Sequence, residues 1–310
     1  MKTIEEFEEF YNEKIKENLQ TKDKEKIAKE KTYKIYFYIF VAILGLFFAT
    51  LSVFHFEYTA LFIISFLFIS FIGKHFFKSL AKKPFLPIYK EALIKEIVGF
   101  IDEKLEYFPE KHISKDIFDK SSFNTVYDTY TGDDLVVGNI NGVDIEFSEI
   151  KTEREEQKDD KKVTYVFHGV FFVANFYKNM EGSVKISPNN ALRTFFSSIL
   201  NVKHKKANMD LPEFEKHFDV YASDQILARY ILSHSFMERV MVVYKNLKRP
   251  LFINIIDGKI YILAKYDTTL FEFVGDKMDD IKIAKEYFYI MSSFINIAEI
   301  LKLDLDIFKK

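Results

Sequence analysis

Six side chains that could pass protons or hold an anion fall within one short stretch: Asp219, Asp224, Arg229, His234, Glu238 and Arg239. Carboxylates beside a histidine and two guanidinium groups are the raw material of an acid/base site. The same residues have local uses. Asp224 is a natural helix N-cap, and Ser235 with Glu238 fits a capping box. Arg229 and Arg239 can pair with either acid. Asp224, Arg229 and Arg239 are therefore candidate binding residues, with an enzyme around Asp224, Arg229 and Glu238 as an alternative. A basic run, Lys203-His204-Lys205-Lys206, supplies a second candidate surface. Lys203, Lys205 and Lys206 could touch anionic lipid at about 1 kcal/mol per lysine, or could sit on a solvated loop. His168 lies in an apolar run and reads as a core or surface histidine rather than a ligand.

Other chemistries are excluded by residue type. The chain has no cysteine, so thiol nucleophiles, thiolate metal sites and disulfides are out. There is no glycine-rich phosphate loop, no His-Glu-x-x-His helix and no Gly-x-Ser-x-Gly elbow. The sequence assigns no catalytic residue, no metal ligand and no cofactor. Net charge is −2 over 310 residues, which gives no global field for nucleic acid.

The elements that would position these residues change period along the chain. Leu135–Ile140 and Val143–Ile150 flank Asn141-Gly142, a strong hairpin signal. Val143, Ile145 and Phe147 alternate with Asp144, Glu146 and Ser148, so one face is buried and one wet. Residues 151–162 are nearly all charged and read as an exposed loop or hairpin extension. Val163–Phe176 is a strand too apolar for an edge, and Ser183–Ile186 is a short one before Pro188. Leu192, Phe195, Phe196, Ile199 and Leu200 suggest a short helix or an anchored loop. Phe218–Tyr221 is a strand, Asp224–Leu232 a helix, and Ser235 opens another to about Leu247. Leu251–Ile256 and Lys259–Ala264 form a second hairpin at Asp257-Gly258. Phe271–Phe273 could add a short strand, and Asp279–Leu303 is a closing helix. Strands, helices, strands and a helix make an α+β domain with a mainly antiparallel sheet. A partly closed barrel capped by the last helix, as in modules of the pleckstrin-homology type, is one form it could take.

Upstream the composition is different. Ile35–Phe54 holds thirteen Ile, Leu, Val or Phe residues and Tyr58–Phe77 holds twelve. Each twenty-residue run can cross a hydrocarbon core of roughly 30 Å, with an insertion gain of about −4 to −7 kcal/mol. A three-residue turn, His55-Phe56-Glu57, joins them. Both runs are apolar all round, unlike a soluble amphipathic hairpin, and the charged leader is over-long for a cleaved signal peptide. Eight lysines lie in residues 1–33, and Lys74, Lys78, Lys82, Lys83 and Lys90 follow in or after the second run. The positive-inside rule then puts both flanks, and both termini, in the cytoplasm. Ile4, Phe7, Tyr11, Ile15 and Leu19 recur at helical spacing, so residues 1–33 read as an amphipathic helix. Its stripe packs on the protein itself, a second copy or the bilayer surface. Past Leu19 the stripe fades, and Glu25–Lys29 suggests a solvated extension. Pro84 and Pro87 end the second span, and a helix follows from about Ile88 to Tyr107. The expected organisation is 1–33 amphipathic helix, 34–78 hairpin (spans 35–54 and 58–77), 79–109 juxtamembrane connector and 110–310 cytoplasmic α+β domain.

Three blocks carry a resemblance. They are His168-Gly169-Val170-Phe171-Phe172-Val173-Ala174-Asn175-Phe176, then Phe214–Asp224 with Ala228-Arg229-Tyr230-Ile231-Leu232, then Ile260–Leu263. They resemble a bacterial membrane-protein family catalogued as domain of unknown function 3137, whose layout is a charged N-terminal helix, two adjacent spans and a cytoplasmic α+β domain. The resemblance implies a bacterial inner (cytoplasmic) membrane and no named activity. It also implies, from the neighbourhood of some members, a LemA-type membrane protein as a partner. The expected function is a membrane-anchored cytoplasmic binding or scaffold module that self-associates, with the bilayer as its first partner. An enzyme and an anionic-lipid-sensing peripheral domain are the alternatives.

Overall fold

A computed structural model describes residues 2–123, 126–158, 161–176, 181–189, 205–266, 268–273 and 277–303. The chain divides into two compact units. One comprises residues 8–93 with 272–284, and the other residues 1–7, 94–271 and 285–310.

The first unit is helical. Helix α1 (Ile4–Phe10) runs through a π-turn (Tyr11–Ile15) into α2 (Lys16–Phe54), and a 3-10 turn (Phe56–Tyr58) reverses the chain into α3 (Thr59–Lys82). Two helices are thus long and apolar enough to cross a membrane. Almost none of their apolar windows is buried within the protein. The two pack where Gly73, buried, lets the Phe40 ring approach: a Cβ there would lie 2.9 Å from Phe40 Cε1. Phe77 packs on Phe37 and Phe40, with ring centroids 6.1 and 5.8 Å away. The helical connector differs from expectation at both ends. Helix α4 (Phe85–Tyr89) starts three residues earlier, because Pro87 falls in its first turn, where a missing N–H costs nothing. A π-turn (Lys90–Ile94) leads into α5 (Lys95–Ile101), which ends at Ile101 where Asp102 turns extended (φ −154, ψ 122). Tyr107 belongs to a strand instead.

The N-terminal stripe is used within the protein. Tyr11, Ile15 and Leu19 are buried. It does not fade into solvent, as the charge pattern suggests, but continues as buried Asp23 and Lys26, paired at 2.7 Å. Residues 272–284 supply the cover. Phe273 lies 4.6 Å beneath the Lys26 ammonium, and the Met278 N–H donates to Asp23 Oδ1 at 3.2 Å. Glu25 turns to Lys22 (3.3 Å), while Lys29 sits over Phe85. Phe271–Phe273 forms no strand; Phe273 packs on Tyr89 at 5.3 Å.

The second unit is α+β. Nine antiparallel strands form one sheet in the order β1-β2-β3-β4-β9-β8-β5-β7-β6. They are β1 (Glu106–Phe108), β2 (Thr129–Ile140), β3 (Val143–Lys158), β4 (Lys161–Asn175), β5 (Ser183–Pro188), β6 (Lys205–Ala207), β7 (Phe218–Ala222), β8 (Leu251–Ile256) and β9 (Lys259–Lys265). The sheet is open, with β1 and β6 as three-residue edges, so no barrel closes. Short edges of this kind offer little to a foreign strand. Both expected hairpin turns form. Asn141 and Gly142 have φ of 52° and 88°, and Asp257 and Gly258 have 52° and 69°, the left-handed pair that such turns need. Residues 151–158 extend the β3–β4 hairpin rather than looping out.

Helices cover the sheet. Helix α6 (Lys115–Lys120) sets Phe118 edge-on to Phe171 on one face, at 5.2 Å, and Tyr261 stacks behind at 6.2 Å. On the other face lie α10 (Ile281–Ile295) and α11 (Ile297–Ile300), with Phe294 stacked on Phe147 at 5.6 Å. Phe7 joins this layer, 4.5 Å from Phe288. The wet face expected for β3 is therefore short: Asp144 is exposed, whereas Ser148, Ile150 and Thr152 are buried. The remaining helices, α7 (Pro212–Glu215), α8 (Gln225–Ile231) and α9 (His234–Leu247), follow the second half of the sheet.

Candidate functional site

The residues singled out by type do not converge. Lys203 lies outside the described residues, as do Leu192, Phe195, Phe196, Ile199 and Leu200. Lys205 and Lys206 lie on edge strand β6. Lys206 Nζ contacts Asp219 Oδ1 at 2.6 Å, and that hydrogen bond raises the lysine's pKa. Asp224 caps α8, accepting the Leu227 N–H at 3.3 Å. Arg229 is exposed on the last turn of that helix. Arg239 donates to the carbonyl and hydroxyl of Ser235 at 3.0 and 2.9 Å. That engagement takes Ser235 out of the expected capping box. Helix α9 starts one residue earlier, behind Ser233, and Glu238 turns to His234 at 3.4 Å. Each contact is made within one short stretch of chain, except that of Lys206.

A different cluster forms where β2 bulges. The strand starts six residues before the expected Leu135, and its register shifts between Asp133 and Val136. Asp134 takes φ of 58° there, the left-handed region that Asp tolerates better than most side chains. The bulge turns Asp133 and Asp134 toward Glu149 of β3, with one carboxylate oxygen from each within 4.8 Å of the others. Asp134 and Glu149 are buried. Their charges have donors. Tyr107 of β1 donates its hydroxyl to Asp134, and His168 of β4 meets Glu149 Oε1 through Nε2. The Leu270 N–H donates to Glu149 Oε2 at 2.8 Å. Burial pushes the His168 imidazole below its ordinary pKa, Lys151 adds to that, and Asp133 opposes it. A neutral imidazole with its proton on Nε2 satisfies the geometry. Three hard oxygens at this spacing suit a divalent cation by type. With these donors in place the group is a proton-holding network that ties five parts of the chain together.

On the opposite face, Lys185 of β5 is 3% exposed and donates to the Ser122 carbonyl at 2.7 Å. Burial pushes its pKa down to about 8. Its sheet neighbour Asn254 donates to the Ser121 carbonyl. An amine of that pKa is a nucleophile by type, but here two polar side chains pin consecutive carbonyls of the 121–122 turn to the sheet.

One sequence signal pointed to the carboxylate network. Glu149 continues the inward series Val143, Ile145, Phe147, so an acid was due on a buried face. The bulge that brings Asp133 and Asp134 beside it carries no such mark, because Gly132-Asp133-Asp134 reads as a turn.

No curated protein and no solved structure matches the chain. Residues 165–303 match the family model described as protein of unknown function (DUF3137). That stretch contains β4 from Tyr165, β5 to β9, the Lys185–Asn254 pair and the closing helices, together with all three blocks that carry the resemblance. Over those residues, somewhat under half of the chain, the protein is similar to the DUF3137 family.

Proposed function

We propose that this chain is a membrane-anchored cytoplasmic binding or scaffold module of a bacterial inner membrane, with both flanks of its helical hairpin in the cytoplasm. The observation that carries it is the apolar surface the hairpin leaves uncovered. Val53, Phe54 and Phe56 are 80, 81 and 84% exposed, and Leu46 is 70% exposed. Exposed apolar surface on that scale marks a membrane or a large partner. The lysine-rich flanks and lysine-free turn supply the orientation.

The absence of cysteine makes the orientation directly testable. Phe56→Cys in intact cells is expected to react with a membrane-impermeant maleimide, and Asp257→Cys only after lysis. The reverse pattern, or equal labelling of both, overturns the orientation. Release of the protein by alkaline carbonate overturns the anchor.

Self-association, or docking of a LemA-type membrane protein, belongs to the same reading. The stripes on the first and closing helices do not support it, because both are covered by the chain itself. What supports it is α8, where Ile226 and Tyr230, one helical turn apart, remain exposed. Crosslinking in native membranes is expected to capture a second protein or a second copy through this helix. Monomer alone counts against it.

A further inference from the structure

The two long helices part at the lysine-rich end of the hairpin and leave a cleft of about 380 Å³. Helix α2 contributes Tyr33, Lys34 and Phe37, and α3 contributes Lys74, Phe77 and Lys78. The spacing explains the convergence: residues 33 and 37, and 74 and 78, are one turn apart on their helices. The floor is aromatic, with Phe37 and Phe77 rings 6.1 Å apart. The rim is basic, three lysines against the single carboxylate of Glu30. Among the described residues Lys34, Lys74 and Lys78 form no ion pair, although Lys22, Lys26 and Lys90 in the same unit do. Lysines flanking a span normally fan outward along the interface. Here three from two helices point at one concavity directly above the apolar spans.

We propose that this cleft binds an anionic phospholipid, its headgroup phosphate held by Lys34, Lys74 and Lys78 and its acyl chains running down the exposed faces of the spans past Phe37 and Phe77. Charge and shape both select that occupant. A basic rim over an aromatic, apolar floor complements a headgroup joined to chains, and a basic pocket between spans on the cytoplasmic side has the form of an anionic-lipid site. A free phosphate would leave the aromatic floor uncovered. The inference rests on the membrane-anchor reading.

The test uses the full chain in a neutral detergent, titrated with phosphatidylglycerol or phosphatidylcholine and read by native mass spectrometry. Phosphatidylglycerol is expected to bind in preference, and the preference to shrink as salt is raised. The triple variant Lys34→Gln/Lys74→Gln/Lys78→Gln is expected to lose about tenfold or more of that preference, from the summed pull of three lysines. The matching arginine triple keeps it. Equal binding of the two lipids, a glutamine triple that retains the preference, or displacement of phosphatidylglycerol by inorganic phosphate overturns the proposal. Carbonate extraction of the same proteins separates the two readings. Wild type retained in the membrane without a lipid preference sinks the lipid site and leaves the anchor. Wild type released by carbonate sinks the anchor itself.

Discussion

At the scale of single residues, the network around Glu149 makes stability depend on pH through one imidazole. His168 stays neutral in the native state because burial and Lys151 hold its pKa below the ordinary value. In the unfolded chain the same ring takes a proton near pH 6.5. Between those two values the unfolded chain binds more protons, so stability rises with pH through that window. The contribution is complete above about pH 6.5 and is lost as pH falls from there toward the native pKa. Thermal melts between pH 8 and 5 should show that loss, and His168→Gln, which keeps a donor for Glu149, should flatten it. His168→Ala removes the donor from a buried carboxylate, at a cost of about 2 kcal/mol. A melt of His168→Gln as steep with pH as wild type would remove His168 as the titrating group. This dependence was half legible in the sequence. Glu149 falls on the inward face of its strand by simple alternation, whereas its partners arrive from 19 residues downstream (His168) and 121 downstream (the Leu270 N–H). Spacing within one strand says nothing of neighbours set by sheet pairing and a bulge.

At the scale of elements, local signals placed most of the structure. Asn141-Gly142 and Asp257-Gly258 made their turns because both positions tolerate positive φ. The apolar run Val170–Val173 took a central strand because neither of its faces could meet water. Failures occurred where a distant segment changed the meaning of a charge. Asp23 and Lys26 read as solvated until residues 272–284 covered them, and those residues have no periodicity of their own. The hairpin packing was also hidden, since neither span carries two glycines at helical spacing. A single one suffices. Gly73 admits the Phe40 ring where a Cβ would lie 2.9 Å from it, whereas a Cβ at Gly45 would meet Phe66 at an ordinary 3.6 Å. Gly73→Leu should therefore force the helices apart at about 1–3 kcal/mol, read as a lower melting temperature in detergent. Gly45→Ala should change little. Equal effects at the two glycines would mean that the close approach does not organise the hairpin.

At the scale of the molecule, composition suggests a clean division at residue 110, with membrane parts before it and the folded domain after it. The compact units do not follow that order. Residues 272–284 belong with residues 8–93, and residues 1–7 belong with the sheet. The interactions of residues 272–284 show what a cut at 110 removes. Phe273 loses the Lys26 ammonium, Met278 loses the Asp23 carboxylate, and Glu272 loses Lys90, which is buried and 3.6 Å away. Gln20 also donates to Asp279 at 3.1 Å. In the sheet unit the same cut strips Phe7 from Phe288 and removes α5 together with β1, the edge partner of β2. A fragment of residues 110–310 retains eight of the nine strands, so β3, β4, β8 and β9 should keep their backbone hydrogen bonds. Residues 272–284 should not, because their partners lie in the missing part. Hydrogen exchange read by mass spectrometry is expected to show strong protection across β3–β4 in both proteins, and protection of 272–284 only in the full chain. Equal protection of 272–284 in the fragment would mean that the segment is held by the sheet unit, and that residue 110 is a true boundary after all.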